Sequence, residues 1–390
     1  MFDMDQKALS KLGAQITTRE IKQQPALWQE TFAIYQKKLN EINHFLKTII
    51  SAHEKVRIIF TGAGTSAYVG NTLVPYLTKA GDSEHFIFES IATTDIVASP
   101  DRYLKPETPT ILVSFARSGN SPESVTAVHL ADQLISHLWK MTITCAEQGR
   151  LAQESVADSK NLLLLMPPLS NDQGFAMTGS FTCMTLAALL VFDTSVNDQK
   201  EQWIHSISKM GHEVVSREEE IQSIVNEHFN RLVYLGSGSL AGLVREAQLK
   251  VLELTAGKIA PLYDSSMGFR HGPKSFVDEH TLVFDFINNN NYTRQYDIDV
   301  MEEIKNDQIA RRVVAIGVKK ETNFRGENFF FSNGDVDLPD GYLALPDIMF
   351  AQTLALLTAV KLHNLPDTPS PSGTVNRVVK GVKIHTYSKS

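Results

Sequence analysis

The stretch Val56-Arg-Ile-Ile-Phe-Thr-Gly-Ala-Gly-Thr-Ser66 decides how this chain folds, because Arg231-Leu-Val-Tyr-Leu-Gly-Ser-Gly-Ser239 repeats its pattern. Each runs an apolar segment into a glycine-rich turn that opens a helix. An apolar run of about five residues flanked by Gly fits a strand buried on both faces of a parallel sheet. Gly62, Gly64, Gly236 and Gly238 permit positive φ and close approach of the main chain to a ligand. The N–H groups of the first helical turn, beside the Thr65 and Ser66 hydroxyls, offer donors to a phosphate. The repeat predicts a duplicated α/β domain built to hold an anion, although a Gly-x-Gly turn by itself also serves packing in such folds.

Working outward, short apolar strands are expected at 57–60, 85–89, 110–115, 140–144 and 161–165, with helical patterns between them. That alternation predicts right-handed β-α-β crossovers and a doubly wound parallel sheet with helices on both faces. A second such unit is expected from Arg231, with strands at 281–287 and 312–318. Residues 1–50 read as an N-terminal helical segment, with Leu27, Phe32, Tyr35, Leu39, Ile42 and Phe45 at helical spacing behind Pro25. Residues 171–192 read as largely helical. Residues 201–229 read as an amphipathic helical linker whose acid run, 217–221, is a solvated face. The polar stretch 288–297 reads as a surface loop, and 346–365 as a late helix with Pro346 in its first turn. The proline-rich tail is irregular. The expected division is 1–50, 51–200, 201–229, 230–365 and 366–390.

Composition narrows the class. The chain has 390 residues, 43% hydrophobic and 21% charged, with a formal charge of −7. That length has room for two or three cores. The negative balance and the absence of a Lys/Arg cluster exclude a nucleic-acid partner. Met1-Phe-Asp-Met-Asp-Gln-Lys lacks the start of a signal peptide, and apolar runs such as Ile111-Leu-Val-Ser-Phe-Ala116 are too short to span a bilayer. No membrane partner is expected, and a cytosolic protein is. Two cysteines, Cys145 and Cys183, make neither a disulfide framework nor a four-ligand zinc site, and read as buried hydrophobes. The histidines show no ligand spacing, so neither a metal nor another cofactor is expected.

Three further segments carry chemistry. Ser114-Phe-Ala-Arg-Ser-Gly-Asn-Ser-Pro-Glu-Ser124 follows a predicted strand and precedes a helix. Its Arg117, Ser118, Gly119 and Ser121 supply the cation, hydroxyls and flexible turn that a phosphate monoester needs. Ser121 would also serve as a helix cap, with Pro122 behind it. In Arg245-Glu-Ala-Gln-Leu-Lys-Val-Leu-Glu-Leu-Thr255, helical spacing puts Glu246, Lys250 and Glu253 on one stripe. Spacing alone favours an exposed salt-bridge ladder, but the helix opens at the second glycine turn, where ligands sit in doubly wound sheets. Ser265-Ser-Met-Gly-Phe-Arg-His-Gly-Pro273 places His271 in a loop between a cation and glycine.

Taken together these segments resemble the sugar isomerase (SIS) domain family. The chain is similar over about 340 residues to the isomerase half of glucosamine-6-phosphate synthase, a length read from the ordered motifs. They run in unbroken order through Gly64-Thr65-Ser66, Ser118-Gly119-Asn120-Ser121, Gly174-Phe-Ala-Met-Thr178, Glu246 to Glu253 and His271-Gly272-Pro273. The tail Pro369-Ser-Pro-Ser-Gly-Thr-Val-Asn-Arg-Val-Val379 and the overall size point within the family to the galactosamine-6-phosphate deaminase/isomerase group. The resemblance implies two SIS subdomains, each a three-layer α/β/α doubly wound sheet, in a homodimer or higher homo-oligomer. It implies that Thr65, Ser66, Ser118 and Ser121 hold the phosphate of a hexosamine phosphate, and Gly64, Arg117 and Gly119 join them as candidates from the reading of the two turns. It gives Glu253 the proton transfer between C1 and C2, His271 the opening of the sugar ring from a neighbouring subunit, and Lys250 and Glu246 supporting places. Lys380 and Asn376 are further candidates in a tail that closes the site. The synthase has Gln where this chain has Arg117, and with Met1-Phe2 in place of an N-terminal Cys nucleophile the chain is not expected to use glutamine. Two alternatives stay open: a phosphosugar aldose-ketose isomerase releasing no ammonia, and a non-catalytic phosphosugar sensor. Leucines around Glu253 would raise its pKa and suit it to both taking and giving a proton.

Overall fold

A computed structural model describes residues 1–370, 372–373, 375–377 and 381–388. In chain order the elements are α1 (Gln6–Lys11), α2 (Gln15–Lys22), α3 (Gln24–Ala52), β1 (Val56–Thr61), α4 (Thr65–Ala80), β2 (Phe86–Ser90), α5 (Thr93–Ala98), α6 (Pro100–Tyr103) and β3 (Thr110–Ala116). Then follow α7 (Pro122–Leu134), β4 (Leu138–Thr144), α8 (Arg150–Val156), β5 (Asn161–Leu165), α9 (Gly179–Phe192), α10 (Asn197–Ser216), α11 (Glu218–Val225), β6 (Arg231–Gly236) and α12 (Ser239–Leu254). The last are β7 (Ala260–Ser265), β8 (Thr281–Phe286), α13 (Asn291–Asp307), β9 (Arg312–Val318), β10 (Glu327–Phe331) and α14 (Asp340–Lys361). The chain divides into two compact units. One holds β1–β5 and comprises Glu30–Asp172, Gly179–Val196 and Val375–Ser390; the other holds β6–β10 and comprises Met1–Gln29, Gln173–Thr178 and Asn197–Thr374.

Both units contain the predicted doubly wound parallel sheet. The strand order is β2-β1-β3-β4-β5 in one and, read from the opposite edge, β7-β6-β8-β9-β10 in the other. All pairings are parallel. The central strands β1, β3 and β8 are buried at every position, as apolar runs covered on both faces must be. Ile59, Leu112, Val125, Leu130 and Leu134 belong to one core of the β1–β5 unit, and Val233, Leu235, Val283, Val300 and Ile304 to one core of the β6–β10 unit. Cys145 and Cys183 are buried, as read, and burial pushes the Cys145 thiol up to about 12.

The structure departs from the sequence reading at elements whose polarity misled it. β7 and β10 were not anticipated. Both are edge strands, with Pro261 and Asp264 in one and Glu327 and Asn328 in the other, so neither needs an unbroken apolar run. Residues 171–178 are not helical: α9 starts at Gly179, whose amide and that of Ser180 donate to the Asp172 carboxylate at 3.1 and 2.9 Å. Residues 288–297 do not form a surface loop. Asn288, Asn289, Arg294 and Asp297 are buried, and α13 begins inside the stretch. The 217–221 run is only partly a solvated face. Glu218 accepts from the Met1 N-terminus and the Phe2 amide, and Ile221 is buried. The late helix begins at Asp340, so Pro346 lies within it rather than in its first turn. Burial of 341–359 throughout outweighs one missing hydrogen bond. α14 is long and apolar enough to cross a membrane, but 94% of its apolar window is buried in the protein.

Candidate active site

In the β1–β5 unit the chain winds away from β1 and β3 in opposite directions, so the loops after these neighbouring strands border the crevice where doubly wound sheets bind ligands. The first loop is shaped by its glycines. A Cβ on Gly62 would come within 2.6 Å of the Ser66 main chain, and Gly64 sits at φ 57°. Gly64 is also the N-cap of α4, so no side chain of the cap residue closes that helix end. Among the described residues nothing lies within 4 Å of where a Gly64 Cβ would stand. Thr65 and Ser66 follow, both buried.

The second loop is held from the side. The Gly119 carbonyl accepts from the Leu151 amide at 3.1 Å, and Asn120 Oδ1 accepts from the Arg150 amide at 2.9 Å, so the start of α8 positions it. Gly119 takes φ 66°. Ser121 occupies the N-cap of α7, but its hydroxyl does not cap. It donates instead to Ser124 Oγ at 2.7 Å, which corrects the capping reading. Arg117 is buried, and its guanidinium donates to the Arg377 carbonyl at 2.8 Å. The Arg377 guanidinium donates in turn to the Asp172 carbonyl, so the tail is tied to this loop. Asn376, beside it, is exposed, and Lys380 lies outside the described residues.

In the β6–β10 unit, α12 places Glu246, Lys250 and Glu253 on one stripe, as predicted. It is not the exposed ladder that spacing alone favoured. Glu246 and Lys250 are fully buried and the Glu253 side chain is 22% exposed. Lys250 Nζ lies 3.0 Å from Glu246 and 2.8 Å from Glu253. Burial works against the ammonium, but the two carboxylates outweigh it and hold Lys250 above its ordinary range. The nearest charged neighbour of Glu253 is therefore a buried cation. A lysine locked between two carboxylates orients both, and leaves the partly exposed one to meet a substrate.

His271 lies where the sequence put it, exposed between two short 3₁₀ turns, Gly268–Arg270 and Pro273–Phe276. The neighbouring Arg270 engages Glu303 at 2.6 Å, and Lys274 pairs with Glu303 and Asp307, so this loop is strapped to α13. Phe269 anchors it from beneath, fully buried.

Sequence reasoning missed an acidic group at the C-terminal ends of β6 and β8. Asp297 accepts from the Ser237 hydroxyl and, at 2.9 Å, from the Asn288 amide; Asp285 accepts from Ser266 at 3.3 Å. Burial raises the Asp297 carboxyl to about 6 although these donors and Arg294 oppose it. Burial and the nearby Asp297 push Asp285 well above the carboxylate range. Reading 288–297 as a loop hid Asp297, and starting the late helix at Pro346 hid Asp340.

Comparison with known proteins agrees with this architecture. The SIS domain family matches residues 51–192. A D-galactosamine-6-phosphate deaminase AgaS from Escherichia coli is 41% identical over 95% of this chain and 96% of its own length. A crystal structure from Clostridium novyi superposes with a TM-score of 0.91 at 42% identity, over 99% of each chain. The Escherichia coli tagatose-6-phosphate ketose/aldose isomerase structure gives 0.86 at 38% identity, over 96% of this chain and 97% of that one.

Proposed function

Because this chain belongs to the SIS-domain family of AgaS-type galactosamine-6-phosphate deaminases, we propose that it converts D-galactosamine 6-phosphate and water to D-tagatose 6-phosphate and ammonia. The observation that carries the reading is the buried Glu246–Lys250–Glu253 array, because a structural ladder would not need a fully buried lysine.

The phosphate is held by the α4 turn with Thr65 and Ser66, and by Ser118 and Ser121 after β3, with Gly64 and Gly119 shaping the turns. Arg117 adds a cation close by. His271, supplied by a second copy of the chain, helps open the ring. Glu253 then takes the C2 proton of the open-chain aldehyde while O1 takes a proton from water, leaving an enolamine. Returned to C1, that proton converts the enolamine to a C2 iminium. Water adds there, ammonia leaves, and the C–N bond is hydrolysed. Lys250, supported by Glu246, keeps Glu253 aimed for the first step. We place this chemistry in the cytosol, in amino-sugar breakdown.

The deciding measurement is ammonia release by the purified chain from galactosamine 6-phosphate and, in parallel, glucosamine 6-phosphate, with wild type and Glu253→Gln. Release lost in the variant supports the reading, and the faster substrate assigns the epimer. The name of the Escherichia coli structure motivates a second reading, ketose/aldose isomerisation without loss of nitrogen. Glu253-dependent exchange of a C1 hydrogen of tagatose 6-phosphate with solvent deuterium, and no ammonia from either hexosamine, would establish that one instead.

A further inference from the structure

The turn that opens α12 has nearly the same backbone as the turn that opens α4. Gly238 has φ 62° and ψ −130°, and Gly64 has φ 57° and ψ −128°. The space in front of the two differs. Asp340, half-buried at the first position of α14, lays its carboxylate into the second turn. Its Oδ2 accepts from the Ser239 amide at 3.0 Å and from Asn288 Nδ2 at 3.2 Å. The same oxygen occupies the place a Gly238 Cβ would need. A second observation marks the spot: Ser239, which matches Thr65 of the first copy, is fully buried and its hydroxyl has no hydrogen-bond partner among the described residues.

Amides at a helix start attract an anion through both their unpaired hydrogens and the helix dipole. Asp340 is also the first residue of α14, so one carboxylate answers the N-terminal ends of two helices. We infer that the 236–239 turn is a second oxyanion site whose resident anion is the Asp340 carboxylate, and that it takes a small free carboxylate or phosphate once that side chain is removed. The site ties α14 to the helix that carries Glu246, Lys250 and Glu253. It exists whichever reaction Glu253 performs.

The test uses the full chain and its thermal unfolding midpoint. Asp340→Ala is made in a background of Ser118→Ala and Ser121→Ala, which silences the loop after β3. Asp340→Asn keeps the shape and removes the charge. Each is titrated with sodium formate and with inorganic phosphate, against sodium chloride at equal ionic strength. Asp340→Ala is expected to lower the midpoint by several degrees, and formate or phosphate to restore at least half of the loss saturably while chloride does not. Asp340→Asn is expected to lower the midpoint with no restoration, because the amide still fills the cradle. A wild-type midpoint in Asp340→Asn overturns the inference, as does recovery of Asp340→Ala by formate and phosphate no greater than by chloride. If the alanine variant does not fold, the midpoint of the asparagine variant decides.

Discussion

The two glycine turns were built to one backbone plan and furnished with opposite chemistry. After β1 and β3 the side chains are Thr65, Ser66, Arg117, Ser118 and Ser121, and the space at Gly64 is open. After β6 and β8 the matching turns carry Ser239, Leu240 and a run of asparagines, and the carboxylates of Asp285, Asp297 and Asp340 gather around them. One unit offers donors to an anion from outside; the other meets its donors with its own acids. A duplicated fold thus separates into a part proposed to hold the phosphate and a part whose helix, α12, carries the candidate base. Backbone conformation alone does not say which is which, since the Gly64 and Gly238 angles agree within a few degrees.

The largest expected effect tests where the chemistry sits. Glu253→Gln should lower ammonia release by about 10³-fold, as loss of a general base does, while equilibrium binding of the phosphosugar, followed by calorimetry, stays within a few-fold. Equal loss of binding would mean that Glu253 holds the substrate rather than only moving its proton.

Next in size is a pH effect confined to the β6–β10 unit. The Asp297 carboxyl stands near 6 in the folded chain, above its ordinary 3.8. A raised carboxyl contributes stability that is complete below the unfolded value and is lost as pH rises through the folded one. Wild type should therefore lose stability between about pH 4 and pH 7, by up to about 3 kcal/mol from this group. Asp297→Asn should flatten that slope in denaturant titrations, whatever its effect on absolute stability. An unchanged slope would mean the acidic group is not the liability its burial implies.

The comparison is sharpened by paired alanine substitutions. Gly64→Ala carries only the strain of a sparsely populated positive-φ conformation, about 1–3 kcal/mol. Gly238→Ala carries the same strain and must also displace the Asp340 carboxylate, so urea titration should show about 2 kcal/mol more destabilisation. Equal costs would mean the second cradle is not filled. The smallest effect concerns a single hydroxyl. Ser121→Ala should raise KM about tenfold with kcat nearly unchanged, the signature of a lost ground-state contact to phosphate. An unchanged KM would leave the loop after β3 as a structural feature only.

Much of this was legible in the residues. The central strands were found because parallel strands covered on both faces need unbroken apolar runs, and 312–318 agrees with the structure residue for residue; the edge strand 161–165 agrees as well because its run stays apolar although alternate positions are only half-buried. The edge strands β7 and β10 were not, because one open side tolerates proline and charge. The stripe on α12 followed from helical periodicity. Its burial did not, since spacing places side chains on a face without saying what covers that face. The Arg117 contact with the Arg377 carbonyl joins residues far apart in the chain and carries no local signal.

The sequence by itself determined the duplicated parallel sheets, the glycine turns and the candidate base, because strand burial, positive φ and helical spacing are local constraints that each leave a local pattern. Only the tertiary structure decided which turn is open and which is filled. The filling group, Asp340, lies a hundred residues from the turn it enters, and its capture depends on where α14 packs rather than on any pattern around Gly238.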